Sequence, residues 1–189
     1  MIGKFHILEV IKDGHKSLYT DIDGYIRNKA SKIIIFDLAP IIISFVLFFM
    51  TDFSQHLKEF SSDILTGISI FSGLLFSLII VIVDKAKTRK TELINNKNDE
   101  IKNYVNKYLR FSEQLISQIS LSIIYSFTII IILILSSISI DFFEVPLILN
   151  KILFSMGIIT IVYFSIQFFI LLLIIISGMY SVFISDISE

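Results

Sequence analysis

The chain contains no cysteine, no tryptophan, only two prolines and seven glycines in 189 residues. Without cysteine there are no disulfides, no thiolate nucleophiles, no zinc-thiolate sites and none of the quinone-linked disulfide chemistry found in some membrane proteins. Histidine is nearly as scarce. His6 with Glu9, and His56 with Glu59, each give a two-ligand spacing, too few for a zinc centre. Asp21, Asp23 and Gly24 look like a fragment of a calcium loop, but Tyr19 and Ala30 occupy the positions of its first and twelfth ligands. There is no phosphate-binding glycine loop and no GxSxG, so neither an enzyme nor a bound cofactor or metal is expected. Nor does any Gly-, Pro- or Ser-rich linker divide the chain.

What fills the chain is hydrocarbon: 54% of its residues are hydrophobic, and the mean hydropathy is +0.82. Runs near the roughly 20 residues needed to cross a bilayer occur four times. They are Ile33 to Thr51, interrupted by Asp37, then Ile64 to Val83, Leu121 to Ile140, and Ile152 to about Met179. The expected fold is an all-α integral membrane protein with four transmembrane helices. The first 32 residues mix charges with scattered apolar positions, unlike a signal peptide, and read as mature sequence.

Lys and Arg set the orientation. Residues 1–32 carry six and residues 84–120 carry eight, against Lys58 and Lys151 alone in the segments 52–63 and 141–151. By the positive-inside bias both termini are cytoplasmic, in a bacterial plasma membrane, and the two acidic loops are external. The expected organisation is a cytoplasmic amphipathic segment (1–32), two spans (33–83), a cytoplasmic helical hairpin (84–120), two more spans (121–180) and a cytoplasmic tail (181–189). In the first segment a hairpin turning at Asp13-Gly14 competes with a helix over 16–30, carried by Leu18, Ile22, Tyr25 and Ile26. The helix is the preferred reading, lying on the membrane surface or a neighbouring subunit. In the hairpin, INNKND offers a turn, and Asn98 followed by Asp99 and Glu100 starts a helix. The apolar stripe Ile101, Tyr104, Val105, Tyr108, Leu115 and Ile119 continues without a break, giving a third helix of about 60 Å.

Within the spans, Thr66, Ser69, Gly73 and Ser77 share one face of the second helix. That face suits either close helix packing or a water-filled passage. The third helix has Ser122, Tyr125 and Ser126 near one end and Ser136 and Ser137 near the other, and the fourth has Thr160, Tyr163 and Gln167, then Gly178 and Ser181: polar ends around apolar middles. Gln167, near mid-span, is expected to face protein. Asp37 sits about one turn inside the first helix, and Pro40 cannot donate to the Phe36 carbonyl, which leaves a freed acceptor and a kink. Ser122, Tyr125 and Tyr180 are at a depth to bond either group. Asp37 is read as a kinked helix end satisfied by neighbours, or as an acidic ring at the inner mouth of an oligomer. Lys85, Lys87, Arg89 and Lys90 anchor the second helix to anionic headgroups, or bind an anionic ligand such as a nucleotide or oligonucleotide.

The stretch GISIFSGLLFSLIIVIVDKAK, residues 67 to 87, preceded by an acidic outer loop and followed by a long basic hairpin, resembles small membrane effectors of bacterial anti-phage defence operons. The layout is similar to the membrane components of Hailong and Kiwa systems. That resemblance implies a homo-oligomeric channel held inactive until infection, with a cytosolic partner; in the Hailong case this is a nucleotidyltransferase whose oligonucleotide product holds the channel. The expected function is therefore a gated, ion-conducting pore of several copies, a tetramer by preference, that permeabilises the membrane. A different class, a non-conducting anchor or sensor recruiting a cytosolic partner along Tyr104 and Tyr108, also fits. A proton-coupled transporter with Asp37 as carrier is a third reading, and it lacks a relay of further carboxylates.

Overall fold

The computed structural model describes residues 6–21, 25–26, 29–50, 53–95, 98–137 and 147–187, and within them every regular element is helical. Helix α1 covers Ile7–Tyr19. The first span is composite: α2 (Lys29–Ile33), a π-helical turn (Ile34–Leu38) and α3 (Ala39–Met50). Helices α4 (Phe53–Asn95), α5 (Asp99–Ser137) and α6 (Leu147–Ile187) follow. Four helical stretches are long and apolar enough to cross a membrane: Lys29–Phe49, Ser61–Thr91, Ile101–Leu135 and Ser155–Ser181. This is the architecture of a multi-pass membrane protein.

Two long helices make an antiparallel hairpin, joined at residues 96–98. The 39 residues of α5 span about 58 Å. Its first turn closes where the sequence places it, with the Lys102 amide donating to the Asn98 carbonyl at 3.1 Å. The stripe on α5 is spent on packing inside the chain: Val105, Tyr108, Leu115 and Ile119 are buried. The Arg89 guanidinium of α4 lies 5.9 and 5.8 Å from the ring centres of Tyr104 and Tyr108, a cation–π clamp across the hairpin.

The expected boundaries move in three places. The segment 52–63, expected as a loop, is mostly helix, because from Phe53 to Asp63 there is neither Gly nor Pro to stop it. Similarly α6 begins at Leu147 and runs on to Ile187, through most of the expected tail. The amino-terminal helix lies at 7–19 rather than 16–30, and Thr20, extended at φ −97° and ψ 144°, ends it.

That helix packs antiparallel along α5, where Gly14 allows the approach: a Cβ there would stand 2.7 Å from Leu121 Cβ. Gln114 secures the far end, its Nε2 donating to the carbonyls of Ser17 (2.7 Å) and Thr20 (2.8 Å), acceptors that a helix terminus otherwise leaves open. Helix α5 is thus central, touching α4, α6 and α1, while α3 packs on α6. Ile119, Ile129 and Phe168 are fully enclosed at the middle of the bundle.

Candidate functional site

A polar junction forms where the first span, α1, α5 and α6 meet. It begins with Pro40, which is buried and has no N–H to give. The helix before it widens to a π turn, in which the Ala39 amide donates to the Ile34 carbonyl five residues back. The Phe36 carbonyl accepts instead from Nε2 of Gln167 on α6. Gln167 is only 2% exposed, and its Nε2 also lies 3.2 Å from the Tyr163 hydroxyl. The acceptor freed by proline is therefore filled by a side chain from the last helix.

Asp37 follows in the same turn and is half-buried, eight residues or about 12 Å along the helix from Lys29. Its Oδ2 accepts from the Tyr19 hydroxyl at 2.5 Å. Burial, and then that hydrogen bond, push the Tyr19 phenol well above its ordinary value, so Tyr19 stays protonated and donates. The Tyr19 ring also meets Phe36 edge-on at 6.2 Å. One turn back on α1, His15 Nε2 lies 3.1 Å from the Tyr125 hydroxyl of α5, and Tyr125 stacks at 5.1 Å on Phe164 of α6. Helix α1 is therefore tied to the first span and to α5 by two tyrosine hydroxyls.

Other polar groups of the spans also turn inward. Ser126 is fully buried, donates to the Ile123 carbonyl (2.7 Å) and stands 2.8 Å from the Ser72 hydroxyl of α4. Ser122 is fully buried, and among the described residues its hydroxyl has no partner. The stripe Thr66, Ser69, Gly73 and Ser77 does the reverse. All four are exposed, no atom lies within 4 Å of a Cβ placed on Gly73, and α4 packs through Ile68, Ser72, Leu75 and Ile82 instead. Of the basic cluster, Lys85 and Arg89 are half-buried, while Lys87 and Lys90 are exposed.

Of the groups expected near Asp37 and Phe36, Ser122 and Tyr180 take no part, and Tyr125 bonds His15. Tyr19 and Gln167 supply the contacts. The structural roles of Tyr19, His15, Gly14, Gln114 and Gln118 escaped the sequence reading, although Gln114, Gln118 and Tyr125 already stood at steps of four and seven residues on α5, a second stripe beside the apolar one. The side chains of Ser136 and Ser137, and residues 138–146, lie outside the described residues. Comparisons with protein-family models, curated proteins and solved structures find no match to this chain.

Proposed function

We propose that the protein is a homo-oligomeric membrane effector that forms a gated ion-conducting pore. One observation supports this above the others: the interior of the protomer is packed shut at Ile119, Ile129 and Phe168, while polar and small side chains at span depth, Thr66, Ser69 and Ser77 around Gly73, stand on its outside. A passage through one copy has no room. A passage between copies has a ready face on α4, since small residues let helix backbones approach. Gating falls to the junction, where the N-terminal helix holds the π turn of the first span through Tyr19 and Asp37. Tyr163 and Gln167 brace that turn from behind. An ionisable group held within a span is the usual mark of an ion path or its switch.

The bias of Lys and Arg supports a topology with both termini and the α4–α5 hairpin on the cytoplasmic side, and the resemblance to defence effectors supports a bacterial plasma membrane. There Lys85, Lys87 and Lys90 meet anionic headgroups or an anionic regulator, such as the oligonucleotide product of a cytosolic partner. The role in anti-phage defence rests on the sequence resemblance alone. Burial of Tyr108 within the hairpin counts against a partner docked on that residue.

The cysteine-free chain makes the test direct. Gly73→Cys and Ser77→Cys should cross-link into disulfide dimers in native membranes, whereas Leu75→Cys, buried against α5, should not. Purified protein in liposomes should release a trapped ion dye. Absence of flux across voltage, pH and nucleotide conditions overturns the pore.

A further inference from the structure

We infer that the charged face of α1 is a re-entrant wall of an aqueous vestibule, and that Lys12, Asp13 and Lys16 line it at the depth of the bilayer's hydrocarbon. The inference rests on the oligomeric pore proposed above, and it assigns that pore residues outside the four spans.

Depth follows from the register of the helices. His15 meets Tyr125, and Gly14 abuts Leu121. Ser126, next to Tyr125, touches Ser72, which stands near the middle of the uncharged run Ile64 to Val83. Phe164, stacked on Tyr125, lies near the middle of the span Ser155–Ser181. The lower end of α1, at Thr20, is level with Gln114. Hence α1 climbs from the edge of the bundle to about its middle, alongside the inner half of α5.

At these levels the protomer has two chemically opposite surfaces. On one side Lys12, Asp13 and Lys16 are exposed, and a groove lined by Asp13, Lys16, Arg110, Glu113 and Ser117 continues toward the hairpin. On the others, apart from the Gly73 to Ser77 strip of α4 already assigned to contact between copies, Ile33, Ile34 and Ile35 of the first span and Leu173 and Ile176 of α6 are exposed and apolar. Leu173 is 68% and Ile176 is 62% exposed, as suits lipid contact. Hydrocarbon cannot solvate the neighbouring side chains of Lys12, Asp13 and Lys16. The α1 side must therefore face water while the apolar surfaces of the first span and α6 face lipid. In a membrane this happens only where further copies of the chain close the α1 side off from the lipid.

Substituted cysteines decide it, in the full chain reconstituted into liposomes. Cysteine at Lys12, Asp13 or Lys16 should react with a charged, membrane-impermeant thiosulfonate at least about ten-fold faster than cysteine at Leu173 or Ile176, which lipid shields. At Lys16→Cys, positive and negative adducts should shift the cation-to-anion permeability ratio in opposite directions. Slow labelling at all three α1 positions overturns the inference. So does fast labelling with adducts that leave an existing flux unchanged, because α1 would then face bulk water away from the path. That second outcome spares the pore, whereas an absence of flux from the unmodified protein removes both readings.

Discussion

Two side chains decide the state of the first span. Gln167 fills a backbone acceptor that Pro40 leaves open, so Gln167→Leu strands a buried carbonyl and should cost about 1–3 kcal/mol of stability in detergent. Pro40→Ala in that background returns an amide to the helix, and the double variant should recover part of the loss in a thermal-unfolding cycle. Asp37→Ala and Tyr19→Phe each remove the hydrogen bond between the two side chains, on the order of 1 kcal/mol. Assembly should survive both. Their shared effect is on gating: each single variant, and the pair together, should raise resting flux by a similar amount, because all three lose the same contact. Unchanged flux in well-expressed variants counts against a gating role for Asp37. The sequence exposed half of this arrangement. A lone acid and a proline in an apolar run mark themselves, and the freed Phe36 carbonyl follows from the chemistry of proline. Which side chains would answer them depended on the depth of α1 and α6, and spacing along one helix carries no such information.

The elements divide in the same way. Continuous apolar runs and the INNKND turn made the long helices and their hairpin legible, down to Asn98 at the start of α5. The position of α1 was not: Ile7–Tyr19 is strongly amphipathic, but Asp13-Gly14 within it reads as a turn, and its place is fixed by fit against α5. Gly14 reads in sequence as a turn signal beside Asp13, yet its use is to let two helices touch. The small face of α4 was legible as a pattern but ambiguous in direction, and it points away from the rest of the chain. Gly14→Val should push α1 off α5, with an overpacking cost of about 1–3 kcal/mol. Pulse proteolysis of membranes should then cut within residues 6–21, which are protected in the parent chain. Leu121→Ala should restore protection by making room, and a failure to restore it would mean that α1 is not held at this contact.

The whole molecule combines four candidate spans among the described residues with a marked asymmetry of charge. The chain is closed within and polar on selected outer faces. Composition shows that the chain belongs in a membrane, but it cannot show which exposed face meets lipid, because that depends on how helices stack across the bundle. The asymmetry at the level of α1 becomes visible only once the register of α1, α4, α5 and α6 is known.

The handover of the Phe36 carbonyl to Gln167 has a further consequence for how the chain is made. The two residues are 131 positions apart, so the first span emerges from the ribosome long before its partner. Until α6 is synthesised, that span holds a carboxylate and an open acceptor in hydrocarbon and has only Tyr19, already made, to answer the first. During that interval the first span should be held only weakly in the membrane. A chain stopped at residue 146 should therefore retain its first span poorly, with residues 29–49 open to protease in a fraction of molecules. Asp37→Leu with Pro40→Leu should close them again. Late arrival of the fourth span makes the last helix the element that completes the insertion of the first.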